Sequence, residues 1–390
     1  MAEICGLKGL RPPREMAAQI TCPPYDVVKE GSKLEHHLRK NDKSLFHITL
    51  GDHPKETLAR FIRESVLIRD DEPAMYVYEQ RYGDKIRRGF LTGVKVSGYE
   101  TGDIIRHEKT FDEKVERRMW LTRETGYAFE PVWLLTKSPV RVVLDQVADE
   151  FPPLYEFTSD FAKASELHGI VNRVFRIPED GKEARALKEF AAHEPLYIAD
   201  GHHRYHSALC LGQDHCLAYI CETDDAEILA YNRVVSGLRG FQTVRDRLAL
   251  VSENQFRTPP KNSFMIYARE GIFSMKAGRI PDDPIGRLDC RILEEELYPL
   301  LGLSPEMIED EKHFDFYPES EMNKMTDLVD KGAYDLAVAL HPVDIRELMA
   351  VADLGVHDPN IVMPEKSTFF APKILSGLFA LKIQAGERLC

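Results

Sequence analysis

A chain of 390 residues is too long for one simple core and points to two domains. Its 43% hydrophobic and 29% charged content is that of an ordered globular protein and excludes disorder. The formal net charge of -13, from 64 acidic against 51 basic residues, excludes a general affinity for nucleic-acid backbone but leaves room for small anions at local basic sites.

The first residues, "MAEICGLKGLRPPREM", carry no basic segment followed by an apolar run, and no window approaches the roughly eighteen apolar residues of a membrane span. A cytoplasmic protein with no membrane partner is expected. A homo-oligomer stays open, because exposed apolar patches are not readable from sequence. The seven cysteines, Cys5, Cys22, Cys210, Cys216, Cys221, Cys290 and Cys390, lack CxxC spacing, which argues against a disulfide framework and a zinc ribbon. "CLGQDHC" with Cys221 reads as structural, since its spacing suits no common zinc motif and cysteine is a frequent buried small residue.

In chain order, the first punctuation is "TCPPYDVV", where two prolines fix an extended turn ahead of Tyr25 and Asp26. The alternation in "PAMYVYEQRYGDKIRRGFLTGVKV" predicts a hairpin turning at "YGDK". "IIRHEKTFDEKVERR" places His107 and Glu108 just after an apolar run. Such a pair offers a general base or a metal ligand, with Arg106, Lys109 and Arg117 as cationic neighbours, or it is a solvated lead into a helix.

"EPVWLL" and "NRVFRI" read as strands, "KEARALKEFAAH" as a helix, "PLYIA" as a strand and "RYHSALCL" as a helix. "CLAYI" and "ILAYNRVV" read as two more strands. On the latter, Asn232 and Arg233 stand out, since an arginine among β-branched residues must reach solvent or an anion.

A boundary is placed near residue 245. Beyond it come a hairpin, "SFMIYAREGIFSMKA", and a helix, "CRILEEELYPLLG", ending at glycine. "HFDFY", "ESEMNKMTDLVDKG", "DLAVALH" and "VDIRELMAVADLG" then alternate strand and helix, which favours a small mixed sheet with helices packed on it. Near the end, "MPEKSTFFAPK" gathers Lys366, Ser367, Thr368 and Lys373. These could cradle a phosphate, or the segment packs Phe369 and Phe370 into a domain interface; no glycine-rich loop precedes it, so it is no Walker motif.

The densest chemistry is "IADGHHRYHSAL". If "PLYIA" is a strand and "RYHSALCL" a helix, "DGHH" is the turn between them. Gly201 supplies conformational freedom and the helix start presents free amides to an anion. Arg204 could grip two phosphate oxygens, and His202 and His203 could donate further bonds. Asp200 could hold Mg²⁺, a hard cation that prefers oxygen. Two other readings compete: His202 and His206, four apart, as zinc ligands, which Arg204 would oppose, and a plain helix cap on Asp200.

"ADGHHRY" resembles the second box of the ParB/sulfiredoxin superfamily, a glycine turn opening a helix on nucleotide phosphates, and the variant "DGHHR" is most similar to the free serine kinases. "TCPPYDVV" loosely resembles the first box of ParB-like proteins, where the chain nears the nucleotide. "LRPP", "PPYDVV", "HEKT", "EPVWLL", "ADGHHRY", "YNRVV", "MPEKSTFFAPK" and "SGL" in this order identify the chain as a member of a prokaryotic family labelled domain of unknown function 1015.

The resemblance implies an α/β protein with mixed sheets: a ParB/sulfiredoxin-like nucleotide-binding domain with insertions over 1–245 and a smaller C-terminal α/β domain over 246–390. It implies ATP or ADP, with CTP as a further candidate, together with Mg²⁺. Asp200 and His202 fall on the metal, and Gly201, His203 and Arg204 on the phosphates, with Arg233 as a further contact. Glu108, then His107 and Asp26, are the candidate catalytic groups.

The expected activity is phosphoryl transfer to a small hydroxyl metabolite, free L-serine first. A nucleotide-binding regulator or nucleotide hydrolase, and a zinc hydrolase through His202 and His206, are the alternatives.

Overall fold

The computed structural model describes residues 1–390 except 111, 162–165, 239–240, 242–244, 246–247, 249, 305–306, 309–312, 359, 365 and 384–390. The chain forms two compact units: Met1–Arg106, Thr110–Ala226 and Pro372–Cys390 make the first, and His107–Lys109 with Glu227–Ala371 the second. No described helix is long and apolar enough to cross a membrane.

The first unit is built on a 9-stranded sheet. Its strands run in the order Ile104–Ile105, Leu196–Asp200, Val132–Thr136, His215–Glu222, Lys85–Lys95, Ala74–Tyr82, Val171–Pro178 and Tyr155–Thr158, with Ile4–Cys5 added beside Lys85–Lys95. Pairing is mixed: Leu196–Asp200 is parallel to Ile104–Ile105 and antiparallel to Val132–Thr136, which is itself parallel to His215–Glu222.

The predicted hairpin is present, with Tyr82 opposite Lys85 and Gly83 at a φ of 53° in the turn. Its first strand is buried on both faces, so its apolar run is nearly continuous. Met75 and Val77 join a core with Leu134, Ile198 and Ile220, against Leu144 and Val147 of the helix Arg141–Glu150 and Leu187 of the helix Lys182–Ala191. On the other face, Tyr76 stacks on Phe379 with ring centroids 3.9 Å apart. The C-terminal segment is thus part of this unit's core, with Leu375, Leu378 and Leu381 buried.

The second unit has a 6-stranded sheet in the order Val251–Glu253, Gly271–Lys276, Ser263–Ala268, Leu336–Leu340, Tyr231–Val235 and Phe314–Pro318. All of these pairings are antiparallel, not mixed as the alternation of strand and helix suggested. Phe314–Pro318, the helix Met322–Asp330 and Leu336–Leu340 do make a crossover between strands of one direction. Tyr231–Val235 lies between those two strands and runs against both.

That strand also moves the boundary. "ILAYNRVV" is broken at Ala230 into Glu227–Leu229, paired with Phe369–Ala371, and Tyr231–Val235 in the middle of the second sheet. The units therefore divide after Ala226 and not at 245, and residues 372–390 return to the first.

Candidate functional site

The strand Leu196–Asp200 shifts register against Val132–Thr136 between Ile198 and Asp200, leaving Asp200 opposite Trp133. Such an irregularity re-aims the side chain that follows it. Gly201 then takes a φ of 98° and a ψ of 30° and starts the helix His202–Cys210 with no side-chain cap. Glycine is required twice: for that left-handed backbone, and because a Cβ would lie 2.8 Å from Arg204 Nε. The first amides of a helix have no partner within it, and no side chain of the N-cap residue covers them here. The plain cap on Asp200 is not formed, because the N-cap residue is Gly201.

Asp200 instead receives two cations. Its Oδ1 accepts from Lys373 Nζ at 2.7 Å, and its Oδ2 accepts from Arg204 Nη2. Arg204 Nη1 donates to the carbonyl of Pro131, while Arg204 Nε is buried without a hydrogen-bond partner. The fork expected to grip an anion is therefore closed on Asp200 and Pro131.

Lys373 reaches a second carboxylate, Asp26 Oδ2, at 3.2 Å. The Lys373 amide donates to Glu166 Oε1 at 3.2 Å, and its carbonyl accepts from Gln80 Nε2 at 3.1 Å. The neighbouring Pro372 carbonyl accepts from Arg87, whose same nitrogen donates to Gln80. Asp26 Oδ1 and Glu166 Oε2 are buried without partners.

Asp26 lies on the one-turn helix Tyr25–Val27, which follows the predicted diproline turn. That turn is held from behind: Glu130 Oε1 accepts from the Tyr25 amide and from Ser376 Oγ, each at 3.1 Å, and Glu130 Oε2 accepts from Arg118 Nη1 at 3.1 Å. The Arg118 guanidinium sits 3.9 Å from the centre of the Tyr25 ring. Sequence reading named Arg117, which is exposed; its neighbour Arg118 is the buried one.

Burial disfavours the ionised form of Asp200, but the charges of Lys373 and Arg204 and the Lys373 hydrogen bond outweigh it and hold this carboxyl well below its usual range. Burial likewise works against the Arg204 cation, and Asp200, Glu130 and Asp26 keep it protonated beyond an ordinary guanidinium. Glu166 goes the other way. Burial pushes it up to about 7, with Lys373 offsetting part of the shift.

These contacts decide the fit of Mg²⁺ to Asp200. Both carboxylate oxygens already hold cationic donors, so a dication there would meet an ammonium and a guanidinium. The residues do not fit a metal at Asp200. His202 is buried in the first helical turn and His203 is half-buried. The zinc pair fares no better: the His206 ring lies flat on Tyr99 at 5.9 Å, and burial followed by the charge of Arg106 lowers its affinity for protons. Cys216 and Cys221 are buried, with Cys221 Sγ accepting from Trp133 Nε1 at 3.2 Å and its thiol pushed up to about 12 by burial. Cys390 lies outside the described residues.

The first unit thus brings together Asp26, Asp200, Gly201 and Arg204 of the expected residues. His107, Glu108 and Arg233 belong to the second unit. There the His107 carbonyl accepts from the Met363 amide at 2.8 Å, and Glu108 bridges to Met363. Arg233 is buried; its Nη1 donates to the Tyr231 carbonyl and its guanidinium lies 5.4 Å from the Phe316 ring centre, so it reaches an aromatic ring and not solvent.

Of "MPEKSTFFAPK", Ser367 turns onto the Pro364 carbonyl at 2.5 Å and Phe369 packs near Tyr231 in the second unit. Only Lys373 of its named residues enters the first unit's cluster. Sequence reading missed Glu130, Arg118 and Glu166, although Glu130 opens the "EPVWLL" segment.

The site is a polar cluster around an uncapped helix start in a mixed α/β unit. The chain belongs to the family described as "Protein of unknown function (DUF1015)", whose profile matches residues 4–291. Among curated proteins, none matches it.

Solved structures with some likeness include a free serine kinase (E30Q mutant) in complex with AMP, at 12% identity and a TM-score of 0.42, covering 76% of this chain and 92% of that one. A conserved hypothetical protein from Pyrococcus furiosus has 12% identity and a TM-score of 0.40, covering 75% and 95%. SbnI with a C-terminal truncation, from Staphylococcus aureus, has 12% identity and a TM-score of 0.41, covering 73% and 85%. Likenesses at this level assign no residue of this chain a role.

Proposed function

We propose that the turn at residues 200–204 binds the phosphate of a nucleotide, ATP or ADP first, and that the first unit transfers a phosphoryl group to a small hydroxyl metabolite, free L-serine first. The observation that carries this reading is the helix start behind left-handed Gly201, which no side chain caps and which Asp200 anchors through Arg204 and Lys373. The likeness of "ADGHHRY" to the free serine kinase box supports the choice of acceptor.

In this reading the amides of His202, His203 and Arg204 receive the phosphate oxygens, while the ion pairs of Asp200 with Arg204 and Lys373 fix the turn behind them. The acceptor hydroxyl oxygen bonds to the terminal phosphorus, the bond from phosphorus to the nucleotide's bridging oxygen breaks, and the hydroxyl proton passes to a carboxylate. Little more than positioning and charge is needed. Asp26, with one oxygen on Lys373 and the other buried without a partner, is the acceptor this geometry favours over Glu108.

Purified protein given ATP or ADP with serine, threonine or homoserine should yield a phosphorylated amino acid. Asp26→Asn should lower turnover by about 100-fold or more, the scale of general-base catalysis, with nucleotide affinity retained. Loss of turnover in Glu108→Gln but not in Asp26→Asn would return the base to Glu108. A second reading, a nucleotide-responsive binding protein, is favoured by the closure of Arg204 on Asp200. Nucleotide binding with no phosphorylated product from any acceptor would establish it and remove the transfer.

A further inference from the structure

We propose that Lys373 is a resident cation, held by Asp26 and Asp200 where a divalent metal would otherwise bind, so that this carboxylate pair takes no metal. The ammonium is 2.7 Å from Asp200 Oδ1 and 3.2 Å from Asp26 Oδ2. A magnesium ion bridging those oxygens would stand about 2.1 Å from each, in space the ammonium fills. The two cannot be accommodated together.

Withdrawal of the lysine is opposed on every side. Its side chain is only 6% exposed. Glu166 holds its amide, Gln80 holds its carbonyl, and Arg87 holds the carbonyl of Pro372 before it. The backbone is therefore held beside the pair, within reach of the ammonium.

The charges close as well. Asp26 and Asp200 are balanced by Lys373 and Arg204, so the quartet has no spare negative charge to attract a dication. A lysine in this role differs from a metal in two respects: it cannot be removed by a chelator, and it brings one charge where Mg²⁺ brings two. If the turn binds nucleotide as proposed above, Lys373 neutralises the carboxylate pair beside it, which a metal would otherwise do. The metal-exclusion claim itself does not depend on nucleotide binding.

Mn²⁺ alone, followed by electron paramagnetic resonance on the full chain without nucleotide, tests it. Wild type and Asp200→Asn should bind Mn²⁺ indistinguishably up to about 1 mM, the weak limit of oxygen-ligand sites. Lys373→Ala should gain one site at least about tenfold tighter than anything in wild type, a change of the size that one removed charge near two carboxylates supports. Lys373→Ala with Asp26→Asn should lose that site again.

One equivalent of Mn²⁺ on the wild type that Asp200→Asn abolishes would overturn the inference, as would a folded Lys373→Ala that gains no site. Should Lys373→Ala not fold, the comparison of wild type with Asp200→Asn still decides. Absence of nucleotide binding would sink the functional reading and leave this result standing.

Discussion

Glu130 shows what a single buried carboxylate does in this unit. It takes the Arg118 guanidinium, the Tyr25 amide and the Ser376 hydroxyl, with its side chain and that of Arg118 each 6% exposed. Removing one member of a buried ion pair strands the other, which costs about 3–5 kcal/mol. Glu130→Ala should lose stability on that scale in urea unfolding, and Tyr25 should lose its fixed position under Arg118. A loss below 1 kcal/mol, the range of an exposed pair, would mean that the pair is not buried in solution.

Glu166 makes the opposite contribution at neutral pH. Burial lifts it from an ordinary 4.5 to about 7, against the ammonium and amide of Lys373 and the charge of Arg87, with Asp26 adding to the rise. Between those values the folded chain binds more protons than the unfolded one, so the stability tied to this group is complete below pH 4.5 and falls as pH rises through 7. Asp200, held low, acts in a lower window: its contribution is present above its ordinary 3.8 and is lost as pH falls below it. Subtracting the unfolding free energies of Glu166→Gln from those of wild type should reveal the downward slope between pH 4.5 and 7. A flat difference would show that folding leaves the Glu166 carboxyl unshifted.

At the scale of elements, the turn before the helix His202–Cys210 is where local chemistry was most legible. "DGHH" between an apolar run and a helical pattern gave the strand end, the glycine and the helix start, and the structure has all three. Gly201→Ala should cost about 1–2 kcal/mol for a left-handed residue with a Cβ, and more if Arg204 cannot yield, since its Nε lies 2.8 Å from that Cβ. Thermal unfolding of the variant checks this; an unchanged midpoint would mean the turn relaxes out of the left-handed region.

The direction of Arg204 was not legible. Its fork was expected to grip two phosphate oxygens, but an aspartate four residues back and the Pro131 carbonyl, which only the fold brings near, take it instead. Lys373 was named, but its partner was not legible, for the same reason. It meets Asp200 across 173 residues, and no local pattern links "APK" to "ADG".

The hairpin of residues 74–95 could be read because its turn and both its strands are local, although its first strand is buried on both faces and not on one. The order of the second sheet could not, because Tyr231–Val235, which precedes the boundary expected near 245, inserts between two later strands.

At the scale of the molecule, the division after Ala226 and the return of the chain at Pro372 make the first unit depend on its far end. Ile374, Leu375, Leu378, Phe379 and Leu381 are buried in it. Burying each such side chain is worth about 1.5–3 kcal/mol. Together they match the whole net stability of a domain, about 5–15 kcal/mol.

A chain ended at Ala371 should therefore lose the cooperative unfolding of the first unit, including the amide protection of residues 74–95. Retention of that protection would show that the C-terminal segment is an addition to the core and not part of it. The same segment carries Lys373, so the core and the candidate site are completed by one stretch of chain.

A crystal structure of the protein with ADP would show whether the turn at Gly201 receives a nucleotide's phosphate. Phosphate oxygens about 3 Å from the amides of His202, His203 and Arg204, with Lys373 still between Asp26 and Asp200, are the predicted result. Nucleotide bound with its phosphates away from these amides would rule out the turn as the phosphate site.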